Sequence, residues 1–224
     1  MPSRKIPLVN NQFYHVFNKS INKEPIFVNK RNAERFTFSL NFYRYKNPPI
    51  RLSHFFDLEE AKRNELINLL KSQNQLIVEI ISFCLMPNHF HLLLKQKIEN
   101  GITIFLANIQ NSFTRYYNLK NNRTGPLFCG RFKAVLIETE EELVHVLRYI
   151  HLNPYSSFLV KDFNQLLDYP WTSLSEYLSE KENICSKKYI LNYFKYNTSK
   201  ITKFHQDHAD YQRKLEVIKN LIFE

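Results

Sequence analysis

His89-Phe90-His91 sets two imidazoles two residues apart inside an apolar run. Side chains in a strand alternate between faces, so both rings point one way while Phe90 points into the opposite layer. Two imidazoles side by side make half of a metal site. On its own, however, H-x-H is equally what one core imidazole and one solvent-facing imidazole would give. The second chemical feature is Tyr149, four residues before Asn153, a spacing that puts a phenol and an amide on one helical face together with His145. A tyrosine on an amphipathic helix is usually a core or boundary aromatic, and spacing alone does not make it a nucleophile. Tyr116-Tyr117 competes for the same role, but helical neighbours point about 100° apart, and Tyr116 belongs to the apolar stripe of its own segment.

These residues need elements to hold them. Gln12 to Asn18 reads as a first strand, and Phe36, Leu40 and Tyr43 recur at helical spacing before Asn47-Pro48-Pro49 ends that segment. Ile50 to Phe56 is ambiguous. Asp57 is a natural N-cap for a helix reaching about Ser72, with Leu66, Ile67, Leu69 and Leu70 as its stripe. Leu76 to Met86 and His89 to Lys95, joined by Pro87-Asn88, predict a central β-hairpin. A long amphipathic helix over Ile102 to Tyr117 and a strand over Phe132 to Ile137 follow. Thr139 and Glu142 form a capping box for a helix to Leu152, closed by Asn153-Pro154, and Glu140-Glu141-Glu142 suits its N-terminal dipole. Past Trp171 the chain is more polar, with a last helical stretch over Asp207 to Leu221. The expected organisation is a main domain over 1–178 and a mostly helical extension over 179–224.

Composition narrows the partners. Among 224 residues, 31 Lys and Arg against 21 Asp and Glu give a formal charge of +10, which favours a polyanionic partner. With 44% hydrophobic residues the chain folds rather than staying disordered. Only 3 glycines occur, and neither G-x-G-x-x-G nor a Walker sequence is present, so no nucleotide cofactor is expected. Cys84, Cys129 and Cys185 form no C-x-x-C pair, which fits a reducing cytoplasm. No apolar run approaches the ~20 residues of a membrane span, and Met1-Pro2-Ser3-Arg4-Lys5 lacks the apolar region of a secretion signal, so no membrane role is expected.

Three motifs occur in order: L-M-P-N-H-F-H-L-L-L (Leu85 to Leu94), R-T-G-P-L-F-C-G-R-F-K (Arg123 to Lys133) and Y-I-H-L-N-P (Tyr149 to Pro154). A Pro170-Trp171-Thr172-Ser173 element follows. Together, over roughly Val9 to Tyr177, they closely resemble the REP-associated tyrosine transposases, which belong to the single-tyrosine HUH transposases. The resemblance implies a ferredoxin-like α+β HUH endonuclease fold: an antiparallel sheet with helices packed on it, the histidine pair lying beneath a tyrosine-bearing helix.

Carried over residue by residue, the resemblance makes Tyr149 the nucleophile and His89 and His91 the ligands of Mg²⁺ or Mn²⁺, and sets Asn153 where relatives place a further polar ligand. It implies cleavage and joining of single-stranded or hairpin DNA through a 5′-phosphotyrosine link, by a prokaryotic, cytoplasmic, nucleoid-associated monomer or homodimer. A non-cleaving DNA-binding regulator of the same fold and a replication or mobilisation relaxase are the rival readings. Arg115, Lys120, Arg123, Arg131 and Lys133 cluster around the signature, and Arg4 and Lys5 begin a basic arm, as candidate DNA contacts. Tyr155-Ser156-Ser157 departs from the small or basic, glycine-containing continuation of relatives.

Overall fold

A computed structural model describes residues 7–179 and 184–222, with side chains as far as residue 216. Arg4 and Lys5 lie outside the described residues. Strand β1 (Phe13–Lys19) leads through a 3-10 turn to helices α1 (Lys30–Tyr43), α2 (Leu52–Asp57) and α3 (Glu60–Gln73). The hairpin β2 (Val78–Met86) and β3 (His89–Gln96), helix α4 (Gly101–Lys120), β4 (Lys133–Ile137) and α5 (Glu140–Ser156) follow. Four more helices complete the chain: α6 (Phe163–Leu167), α7 (Leu174–Leu178), α8 (Lys188–Tyr193) and α9 (Thr198–Ile222).

The sheet runs β2-β3-β1-β4 and each neighbouring pair is antiparallel. That order, on a β-α-β-β-α-β chain path, is the ferredoxin-like arrangement. Strand alternation then sorts the side chains. Tyr14, Val16, Phe90, Leu92 and Leu94 join α1 and α4 in one core. Leu93 joins Leu143, Val144, Leu147 and Ile150 of α5 in the other, with Phe13 packed against it. Both faces of β2 are covered, which is why its sequence is a continuous apolar run rather than an alternation. Its outer edge is closed by the Pro170-Trp171-Thr172-Ser173 element: Leu85 N donates to Trp171 O, and Ser173 N to Phe83 O.

Several local expectations need correction. Ile50 to Phe56 contributes the short helix α2, and Asp57 ends that helix instead of capping the next, whose N-cap is Glu59 without a side-chain bond. Strand β4 starts at Lys133, one residue after Phe132. Pro154 does not close α5. The helix continues to Ser156 with the proline inside it, at the cost of a backbone donor for the Ile150 carbonyl. Buried packing of Leu152, Tyr155 and Leu166 holds that last turn in place. The capping box is present, Thr139 Oγ1 accepting from Glu142 N at 3.1 Å.

The last helix begins at Thr198, nine residues before the expected start, and packs against α5. Ile190, Phe194 and Ile201 share a core with Leu143 and Leu147. A buried chain of bonds fastens this join. His205 Nδ1 lies 2.8 Å from the Ile201 carbonyl, His151 Nδ1 3.0 Å from His205 Nε2, and His151 Nε2 2.8 Å from Ser173 Oγ. A carbonyl only accepts, so His205 Nδ1 donates. With neutral rings, His151 Nδ1 must then donate to His205, and the Ser173 hydroxyl to His151. Burial lowers both histidine pKa values, that of His205 to about 4, so the rings are neutral at pH 7.

Candidate active site

The hairpin register puts His89 and His91 on the α5 face of the sheet, their ring centroids 5.1 Å apart and their planes at 81°. The face is completed from the neighbouring strand. Phe17 pairs with His91 and His15 with Leu93, so β1 presents His15 and Phe17 beside the histidine pair. His15 stacks on His91 at 5.2 Å with Nε2 2.9 Å from His91 Nδ1. Phe17 lies 5.6 Å from His91 and 5.1 Å from His15, so the three rings form a triangular cluster.

From α5, Tyr149 descends onto this layer. Its ring stands edge-on to both His15 and His91, with centroids 5.8 Å away in each case. The phenol ring and the two adjacent imidazoles therefore share one half-buried pocket.

The hydrogen bonds restrict which atoms remain for chemistry. Asn88 Nδ2 donates to the Lys23 carbonyl, so its Oδ1 faces His89 Nδ1, 2.6 Å away, as an acceptor. His89 Nδ1 therefore carries the proton, and Nε2 holds the lone pair. His91 Nδ1 is engaged by His15. Asn153 is buried, and its Nδ2 donates to the Tyr149 carbonyl at 3.1 Å, which leaves the amide oxygen as its donor atom for a cation. In all three residues a nitrogen is thus tied to another protein atom.

Burial keeps the imidazoles neutral. It lowers His15 and His89 to about 4, and His91 well below the ordinary value, helped there by the neighbouring His89 and His15. At His89 the Glu216 carboxylate on α9 works against burial and Lys19 with it. Neutral imidazole is the metal-binding form. Among the described residues no group of three or more His, Cys, Asp or Glu is placed to hold a metal ion. Two imidazoles and an amide oxygen are nevertheless donors for a divalent cation that keeps open positions, the imidazoles suiting a borderline transition metal and the amide oxygen a harder ion.

The basic residues are divided. Lys133 sits on the active face, its Nζ 6.0 Å from the Phe17 ring, and Arg131 is exposed just before it. Arg115, Lys120 and Arg123 lie instead along a groove on the α1 and α4 side of the sheet. Tyr116 and Tyr117 are on that side too, bonded to Asn32 and Glu24, so they do not reach the histidine pair. His145 is exposed and bonded to Arg148, turned away from the pocket.

Two contributors escaped the sequence reading. His15 stands in Q-F-Y-H-V-F-N, where alternation puts it on one face with Phe13 and Phe17, but only the pairing of β1 with β3 brings it to His91. Gln212 of α9 donates to the Tyr149 carbonyl at 3.2 Å and reaches Ser156 Oγ at 3.4 Å, bracing the turn that carries the tyrosine.

Residues 53–153 match the family described as IS200-like transposase. The solved structure of a REP-associated tyrosine transposase bound to a REP hairpin shares the fold, with TM-score 0.55 and 14% identity over 80% of this chain and 87% of that one. A putative transposase from Deinococcus radiodurans aligns at TM-score 0.36 and 16% identity over 67% of this chain and 95% of its own. A bacterial tRNA(His) guanylyltransferase-like protein in complex with GTP aligns at 0.43 and 11% over 74% and 72%. The last two are too distant to bear on function. No curated protein matches the chain.

Proposed function

We propose, on the match of residues 53–153 to the IS200-like transposase family, that the chain is a metal-dependent single-stranded DNA endonuclease and strand transferase with Tyr149 as nucleophile. The observation that carries this reading is the meeting of the Tyr149 ring with the His15 and His91 rings at 5.8 Å, beside His89. A tyrosine that only filled the core would not need two neutral imidazoles against its ring and a third beside them.

His89 and His91 would hold Mg²⁺ or Mn²⁺ through Nε2, and Asn153 through its amide oxygen. When bound, the cation polarises a phosphate oxygen and offsets charge at phosphorus. The protein's own part is positioning. With His91 ligating through Nε2, its Nδ1 would donate to His15 Nε2, which sets the tautomer, and Asn88 does the same for His89. Asn153 and Gln212 both bond the Tyr149 carbonyl, which fixes the turn from which the phenol projects.

In the reaction the Tyr149 oxygen forms a bond to phosphorus, the bond from phosphorus to the 3′-oxygen breaks, and the phenol proton ends on the departing 3′-hydroxyl. The 5′-phosphotyrosine link keeps the reactivity of a phosphodiester. A returning 3′-hydroxyl can therefore displace the tyrosine and join strands without a nucleotide cofactor. Lys133 and Arg131 flank this face and would meet the backbone near the cleaved bond, and hairpin DNA is the substrate we assign.

The test is denaturing electrophoresis of the protein with labelled hairpin DNA and Mg²⁺ or Mn²⁺, beside Tyr149→Phe and His89→Ala. A metal-dependent, denaturation-resistant adduct lost in both variants is expected. Tight binding without nick or adduct would favour the non-cleaving regulator instead.

A further inference from the structure

The pairings of β1 lay out a small lattice of side chains on the active face. Lys19 stands beside His89, Phe17 between His91 and Lys133, and His15 between Leu93 and Val135. The core under α5 covers the end of this lattice away from His89, where Phe13, Leu93 and Ile137 are packed. The end near His89 is open. Lys19 and Lys133 are exposed there, and Val135 is 54% exposed.

Phe17 has no packing role in this arrangement. Phe13, on the same face of β1, packs against the α5 core, whereas the half-buried Phe17 joins none of the four apolar clusters formed by the described residues. Its neighbours are polar instead. The His15 and His91 rings lie 5.1 Å and 5.6 Å away, and the Lys133 ammonium lies over its ring at 6.0 Å. A phenylalanine so placed leaves apolar ring surface in water without gaining a core in return, and a flat partner laid on the ring would remove that surface from water.

The charges around the ring select that partner. Lys133 lies across from Phe17 on β4, and Lys19 lies two residues along β1 on the same face, so two ammonium groups bracket one aromatic ring. Neither lysine makes a salt bridge among the described residues. Glu216 of α9 is a negative group at this end, and its charge acts on His89 in the opposite sense to that of Lys19. An aromatic face set between cations suits a single strand of nucleic acid, whose bases each offer a π-face and whose phosphates recur on either side of every base.

We infer that Phe17 is a base-stacking platform of the active site: the base of the nucleotide adjoining the cleaved bond lies on its ring, and Lys19 and Lys133 hold the phosphates on either side. DNA as the partner rests on the transposase reading, but the stacking does not depend on cleavage. Because the Phe17 ring is in contact with His91, a base stacked on it brings the phosphate of its own nucleotide to the histidine pair and Tyr149. Every base has a face to stack, so Phe17 sets the position of the strand rather than its sequence.

The experiment follows the tryptophan fluorescence of the full chain carrying Phe17→Trp as a single-stranded oligothymidylate is added, with EDTA present so that no strand is cut. Trp171 is common to the variant and the unaltered chain, whose signal is subtracted. Quenching by the oligothymidylate and not by an abasic oligomer of the same length is expected, and an equal response to the two overturns the platform. Anisotropy of the same strand, labelled, gives affinities at several salt concentrations. Phe17→Leu is expected to bind on the order of tenfold more weakly with an unchanged slope of log K against log salt, and Lys19→Gln to reduce that slope by about 0.7. Phe17→Tyr keeps the ring and should bind within about twofold of the unaltered chain. Undiminished binding by Phe17→Leu overturns the inference, as does equal loss in Phe17→Leu and Phe17→Tyr. Adduct formation with metal separates the two ideas. An adduct from the unaltered chain without base-dependent quenching in Phe17→Trp removes the platform and leaves cleavage standing, and quenching without an adduct does the reverse.

Discussion

His15 Nε2 lies 2.9 Å from His91 Nδ1, so a histidine from β1 is bonded to the buried histidine of the β3 pair while its ring edge meets Tyr149. A ligating imidazole needs its second nitrogen held if its first is to face the metal, and in most such sites a carboxylate or carbonyl does this. Here another imidazole does so. Removing it should loosen the ligand without removing it.

His15→Ala is therefore expected to raise the Mn²⁺ concentration for half-maximal adduct formation by about 10-fold to 100-fold, the usual effect of losing such a partner. His15→Gln, whose amide oxygen can accept the same proton, should recover part of it. An unchanged Mn²⁺ dependence in His15→Ala would show that His91 is oriented by packing alone.

Tyr149→Phe should abolish the covalent adduct while leaving hairpin affinity and its salt slope as they were. The hydroxyl is the nucleophile, whereas the ring supplies the contacts with His15 and His91. Adduct formation by this variant would move the nucleophile elsewhere.

The buried histidine chain makes stability depend on pH. His205 has a folded-state pKa of about 4, below the ordinary 6.5, because burial disfavours its charged form. Between these values the unfolded chain binds more protons than the folded one. Its contribution is thus complete above pH 6.5 and is lost progressively as pH falls toward 4. Urea unfolding from pH 7.5 to 4.5 should show this decline. His205→Ala should cost about 1–3 kcal/mol at pH 7 by orphaning His151 Nδ1, and should flatten the decline.

Gly101 opens α4 where a Cβ would run into the Ile77 carbonyl, a backbone atom that cannot swing away. Gly101→Ala is expected to destabilise the protein by about 1–3 kcal/mol through that overlap. Thermal unfolding would register it directly, and a melting temperature equal to that of the unaltered chain would contradict the close approach.

Much of the site could be read in the primary structure because its parts are local. H-x-H within an apolar run needs only strand alternation to aim both rings alike, and Tyr149 with Asn153 needs only the helical repeat. The capping box at Thr139 is local for the same reason. Asp57 and Pro154 were misread because caps and breakers are weak local preferences. The packing of α2 and of the Leu152 to Leu166 cluster outweighs them.

The order of the four strands and of α1, α3, α4 and α5, the faces of the histidine pair and of Tyr149, and the excess of positive charge were all legible in the primary structure. Tertiary structure alone decided which residues meet. Inserting β1 between β3 and β4 brings His15 across 76 positions of chain to His91, and docking α9 on α5 brings Gln212 across 63 to the Tyr149 carbonyl. It also divides a basic cluster close in sequence between two faces of the sheet. Strand register and helix docking are set by the summed packing of two cores, and no short window of sequence contains that sum.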